Sequence, residues 1–206
     1  MCDTAETADE EEKFHPFVVE RGWFRYGHTF VRFFPGKWKR DTETGELLRK
    51  TVEHRKRTGV DVQFVNPEMI EGGMHLLSAC FQALRAFERG ENRAATPGTE
   101  MLLFLAGTRQ IRKAIDMVGL GDSVRSGEKG LAVVFAPVGD KNAGMDRVNT
   151  DAGDAAKMLD VASISEFLST LGFAPDHVDI NEMEWKTEKT FDAVEKTAVY
   201  ERVFRD

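Results

Sequence analysis

The reading of this chain turns on residues 60–121, VDVQFVNPEMIEGGMHLLSACFQALRAFERGENRAATPGTEMLLFLAGTRQIRKAIDMVGLG. Val60, Val62 and Phe64 alternate with Asp61 and Gln63, the two-residue period of a strand with one buried face. Asn66 is placed to accept the first amide of a helix, and Pro67 sits where no amide donor is needed. Gly72 and Gly73 keep that helix short. Over 74–89 the spacing predicts a longer helix with Leu76, Cys80, Ala83, Leu84 and Phe87 on one face and His75, Ser78, Gln82, Arg85 and Arg89 on another, closed by Gly90. Thr96 and Pro97 begin a third helix, which is apolar on every side over 101–106 and therefore central. Gly107 ends it, and Thr108 is read as the cap of a fourth helix in which Ile111, Ala114, Ile115 and Val118 recur until Gly119.

The fourth helix carries Arg109, Arg112 and Lys113 in its first turns, where the helix dipole is already positive and cations are mildly unfavourable. Two readings stand side by side. Free amides at a helix start together with Arg side chains can collect a phosphate. Alternatively, these are solvated cations paired with acids such as Asp116. Arg85 and Arg89, taken alone, read as cations placed at the negative end of their helix.

Around this unit the chain divides simply. Residues 1–14 carry Asp3, Glu6, Asp9, Glu10, Glu11 and Glu12 with almost nothing to bury, which predicts a disordered acidic tail. Residues 15–206 are read as one domain. Phe17–Val19 and residues 29–34 read as two strands paired as neighbours, separated by a loop around 22–27 and ended by Pro35 and Gly36. Residues 37–57 are rich in base: Lys37, Lys39, Arg40, Arg49, Lys50, Arg55, Lys56 and Arg57, with Trp38 and His54 among them. A tryptophan beside cations suits a single-stranded nucleic-acid platform. A solvated helix with Leu47, Leu48 and Val52 tucked inward accounts for the same residues. Further on, 131–136 reads as a buried strand, 139–156 as a glycine-rich loop, and Ser163 with Glu166 as a capping box for a helix burying Phe167, Leu168 and Leu171. A last amphipathic helix is expected from Thr187.

Composition narrows the function classes. The chain has 206 residues, 41% hydrophobic and 31% charged, as expected of a globular protein with a substantial core. Its net charge of −7 argues against indiscriminate nucleic-acid binding while leaving room for a local basic patch. Cys2 and Cys80 do not make a disulfide framework, which fits a reducing cytoplasm. No apolar run approaches the ~20 residues that span a bilayer, and no signal peptide is expected. Catalytic constellations are absent: no HxxxH or CxxC pair, no GxSxG elbow, and no phosphate loop of the GxxxxGK[ST] spacing in GLGDSVRSGEKG. His15, His28, His54 and His177 read as structural or solvated, and Glu182 with Glu184 as a charged segment. A non-enzyme without metal or cofactor is expected.

The segment NPEMIEGGMHLLSACFQALRAFERG, followed by TEMLLFLAGTRQIRKAIDMVGL and the strand LAVVFAP, resembles the kinase-binding subunit of the KEOPS complex, called TPRKB in eukaryotes. Asn66 and Pro67, the Glu100-Met101 pair, Arg109-Gln110-Ile111, the Ala114 helix and Gly119 fall in the family's order and spacing. The resemblance covers about half the chain, and more weakly GELLRKTVEHRKRTG and DAVEKTAVYERV. It is to an archaeal member. It implies an α/β protein, a small mixed sheet packed with a helical layer in a single domain. Its direct partner would be the KEOPS kinase subunit, with the remaining subunits bound indirectly. The complex installs threonylcarbamoyl on the adenosine beside the anticodon of ANN-decoding tRNAs, and archaeal members capture the tRNA 3′ CCA end. On this resemblance Arg109, Gln110, Arg112 and Lys113 hold tRNA, with Arg89 and Arg93 nearby and Lys37, Trp38, Lys39, Arg40, Arg55 and Arg57 as an auxiliary patch. Ile115, Val118 and Leu120 would contact the kinase. A stand-alone RNA-binding protein, a small phosphate-handling enzyme and a pure kinase-binding adaptor are the alternatives.

Overall fold

The computed structural model describes residues 18–20, 23–137 and 160–176. The expectations for the acidic tail, the 139–156 loop and the last helix lie outside these residues. The main sheet contains β1 (Val18–Glu20), β2 (Trp23–Tyr26), β3 (Thr29–Trp38), β5 (Asp61–Val65), β7 (Lys129–Pro137) and β8 (Phe173–Pro175). Its order is β1-β2-β3-β7-β5, with β8 also pairing β3. Two short strands, β4 (Thr42–Glu43) and β6 (Ser123–Val124), form a separate ladder. The α/β class holds. Within it, every ladder among the described residues is antiparallel, where a mixed sheet is expected from the sequence.

The first strands pair differently from expectation. Residues 22–27, read as a loop, contain β2, which lies between the two runs expected to be neighbours. Its Trp23 and Tyr26 are buried, and Gly27, at φ 53°, makes the tight turn into β3. Nor does β3 stop at Pro35. The Pro35 carbonyl accepts the Asp176 amide at 2.7 Å, so the proline nitrogen faces the same side, past the end of β2, where no donor is missed. The strand therefore runs on to Trp38.

Both faces of the sheet are apolar, so helices cover both rather than one. Val31 and Phe33 of β3, with Leu131, Val133 and Phe135 of β7, pack against α2 (Gly73–Arg89), α3 (Pro97–Leu105) and α4 (Ile111–Val118). Phe30, Phe34 and Trp38, with Ala132, Val134 and Phe64, face α1 (Thr44–Thr58) and α5 (Val161–Thr170). α3 is the central helix, as its uniform apolarity predicts: Met101, Leu102, Leu103, Phe104 and Leu105 are all buried.

Helix starts mark where local sequence is decisive and where it is not. Thr96 accepts the Thr99 amide at 3.1 Å, and Asp61 accepts that of Gly98 at 2.9 Å, so α3 begins inside the protein with its amides satisfied. Asn66 accepts the Glu68 amide at 3.0 Å and opens a single 3-10 turn, Pro67–Met69. α4 instead starts at Ile111, with Gln110 at the cap position, and Thr108 lies too early to cap it. α5 starts at Val161 under Asp160, which accepts the Ala162 amide at 3.0 Å, while Ser163 donates to Asp160 at 2.7 Å instead of capping. In α1 the buried stripe is Leu47, Thr51 and His54, so Leu48, expected inward, is 64% exposed.

Gly36 pairs with Pro175 of β8, and a Cβ there would collide with the Ala174 carbonyl oxygen and the Phe173 ring. Backbone cannot yield as a flexible side chain does. Gly36→Ala is expected to cost about 2 kcal/mol of stability in urea denaturation, and wild-type stability would show that β8 is not held where the structure has it.

Candidate functional site

α4 is short and lightly anchored. It buries only Ala114 and Val118, one turn apart, and its cap residue makes no side-chain hydrogen bond. Arg112 and Lys113 lie exposed in its first turn, with exposed Arg109 and Gln110 just before it. No ion pair among the described residues joins Arg112 or Lys113 to Asp116, so the simple pairing that would explain these cations is not made. Their charges add to the positive helix start instead of being cancelled.

Arg89 and Arg93 are exposed at the other end of the helical layer. Arg89 ends α2, and Arg93 lies in the connection to α3, whereas Arg109 and Arg112 follow the end of α3. Nine residues of helix at ~1.5 Å each separate the two groups by roughly 13 Å of helix axis. The two pairs of cations thus flank α3 in the chain, one before its start and one after its end.

The Arg93 backbone is held firmly. Glu100 on α3 is 1% exposed, and its Oε2 accepts the amides of Arg93 at 2.9 Å and Ala94 at 2.7 Å. Burial pushes the Glu100 carboxyl above its ordinary range, with these two bonds pulling the other way. The end of α2 is anchored as well: the Tyr26 hydroxyl donates to Glu88 at 2.7 Å. Burial first, and then that carboxylate, push the Tyr26 pKa up to about 12. Of the polar strip read along α2, His75 and Gln82 are buried, so the strip is not a continuous solvent face.

The auxiliary basic patch changes character. Trp38 is 1% exposed, its ring packed on Phe64 and Phe173 at centroid distances of 5.0 and 5.1 Å, and cannot stack a nucleobase. Because β3 continues through Gly36, Trp38 falls on the same core face as Phe34. Lys37, Lys39, Arg40 and Arg57 remain exposed and Arg55 half-buried. Arg40 reaches Glu46 at 3.4 Å, Lys50 reaches Glu46 at 2.6 Å, and Arg49 reaches Glu53 at 3.1 Å. The Lys50 hydrogen bond and charge hold the Glu46 carboxyl below its ordinary range. Part of the basic run is thus paired within α1.

Among the residues expected to meet a partner, Ile115 is 39% exposed, Leu120 is half-buried against the α1 and α5 side, and Val118 is only 3% exposed. Val118 belongs to the anchoring stripe with Ala114, and its carbonyl accepts the Asn66 amide at 3.0 Å. Sequence reasoning missed Ile111, Met117, Met69 and Met74, all exposed. For Ile111 and Met117 the signal lay in an eight-residue helix with more large apolar side chains than its narrow buried stripe can use.

Among the described residues, no group of three or more His, Cys, Asp or Glu could hold a metal ion. No helix among them is long and apolar enough to cross a membrane.

Glu100→Ala would strip two amides of their acceptor, and is expected to lower stability by about 2 kcal/mol. Glu100→Gln, whose amide oxygen can take the same two bonds, should recover most of that. Equal losses in thermal melts of the two variants would contradict this role for the carboxylate oxygen.

Residues 40–169, from just before α1 to the last turn of α5, match the family model described as kinase binding protein CGI-121. Comparison with curated proteins gives no match. Since the matched span exceeds half of the 206 residues and takes in α1 to α4 together with β5 and β7, this chain belongs to the CGI-121 family of kinase-binding proteins.

Proposed function

We propose that this protein is a non-catalytic subunit of a KEOPS-type complex that binds the complex's atypical kinase and captures the 3′ CCA end of tRNA. It would thereby support threonylcarbamoyl modification of the adenosine next to the anticodon in ANN-decoding tRNAs, in the cytoplasm. One observation carries the kinase-binding part. Of the six large apolar side chains exposed among the described residues, five are Met69, Met74, Ile111, Ile115 and Met117. They lie on α4 and on the segment entering α2, which the Asn66–Val118 hydrogen bond ties to the end of α4. Covering such side chains is worth roughly 1.5–3 kcal/mol each when burial is complete. Large apolar side chains left in solvent on a short helix and on the segment tied to its end are what a protein partner covers.

The RNA part is supported by Arg112 and Lys113, which have no acid partner among the described residues and lie at a helix start. A second reading, an adaptor that ignores RNA, is favoured by the burial of Trp38, which leaves the basic 37–57 stretch without its tryptophan as a stacking platform.

Two measurements separate these readings. Joint substitution Met74→Asp and Ile115→Asp is expected to weaken binding of the purified kinase subunit at least about tenfold, a loss of about 1.4 kcal/mol, with the circular dichroism melt unchanged. Unchanged affinity would remove this surface from the kinase interface. Binding of the full chain to intact tRNA and to the same tRNA trimmed of its CCA, at two salt concentrations, tests the other part. Loss on trimming, and loss with Arg112→Glu plus Lys113→Glu, are expected. Kinase binding with no RNA binding would establish the adaptor.

A further inference from the structure

His54 lies on the buried stripe of α1, on the opposite side of the sheet from α4. Its ring stacks on Phe167 of α5, with centroids 3.7 Å apart and planes 14° from parallel. The two rings line an open groove of about 760 Å³ between α1 and α5. The charged groups facing it are Lys50, Glu53 and Arg57 from α1 and Glu166 from α5.

The ring is sealed on one side. Nδ1 has no accessible surface and no hydrogen-bond partner among the described residues, so neither Glu53 nor Glu166 reaches it. A neutral imidazole with its hydrogen on Nε2 leaves only a lone pair unmatched there. An imidazolium would put an N–H donor and a positive charge at the same place, with nothing to accept the bond. The groove does not supply compensation. Glu53 is taken by Arg49 at 3.1 Å, while Arg57 has no acid partner among the described residues. The Phe167 face attracts a cation weakly, but hydration lost on burial is the larger effect. Burial, and then the charge of Arg57, hold the imidazole below its ordinary 6.5.

We propose that His54 is an acid-sensitive latch between α1 and α5: the neutral ring holds the two helices together, and its protonation loosens α5 from α1 before the rest of the domain unfolds. The sign follows from linkage. A released ring takes up a proton near pH 6.5 that the stacked ring resists, so the latch is at full strength above that pH and weakens as pH falls below it. Ile164 and Leu168 still hold α5 on the sheet, so the loosening is a local opening.

Amide hydrogen exchange of the full chain at about pH 7.5 and about pH 5.5, corrected for the intrinsic rate, reads this directly. Exchange in α5 should accelerate about threefold or more at the lower pH relative to α2. His54→Phe, which keeps a flat ring against Phe167 and cannot take a proton, should abolish that acceleration. Acceleration that persists in the variant, or that α2 shares equally, overturns the proposal. Should the variant fail to fold, an NMR titration of the His54 ring in the unaltered chain decides. A midpoint clearly below the ordinary value is expected, and one at or above it overturns the latch.

Discussion

The antiparallel ladder between β3 and β7 runs unbroken from the Thr29–Pro137 pair to the Lys37–Lys129 pair, and the rest of the molecule is hung on its two faces. Residues 130–136 of β7 are buried throughout, a continuous run that needs cover on both sides. One face takes α2, α3 and α4, and the other takes α1 and α5. At one end of the ladder Gly36 stands opposite Gly130. A Cβ on Gly130 would meet the Trp38 indole and the Phe173 ring, and one on Gly36 would meet Phe173 and the Ala174 backbone. The facing glycines therefore clear the space in which Trp38 and Phe173 close the core over β8.

This arrangement also determines which charges are available to a ligand. The paired cations of α1 lie on one side of the sheet, tied to Glu46 and Glu53. Arg112 and Lys113 of α4, which have no acid partner among the described residues, lie on the other side, on a helix held by two buried residues and a backbone hydrogen bond to the segment before α2. Rigid support and a lightly anchored helix are thus divided between α3 and α4. α3 and the Glu100 carboxylate fix the loop that bears Arg93, while α4 presents apolar and basic side chains on little more than two turns.

Much of the element order was legible because it is local. The alternation of Val60, Val62 and Phe64, the caps at Asn66 and Thr96, and the glycines at 90 and 107 act within a few residues, and the structure uses each of them. Helix starts failed where two caps competed: Asp160 precedes Ser163, and α4 begins at Ile111 whatever Thr108 offers. The loop assigned over 22–27 failed because Trp23 and Tyr26 become strand residues only when a sheet is there to bury them.

Of the candidate surfaces, the sequence by itself determined the inventory: cations at the start of α4, a basic run with a tryptophan over 37–57, and apolar residues at helical spacing. Which side chains reach solvent was decided by tertiary structure alone. Trp38 went inward because the β3–β7 ladder carries the strand through Pro35 and Gly36, and Val118 because it shares the Ala114 stripe against the core. Leu48 went outward because α1 docks through Leu47, Thr51 and His54. Periodicity states which residues share a face, but exposure depends on what that face meets, and the elements it meets come from distant parts of the chain.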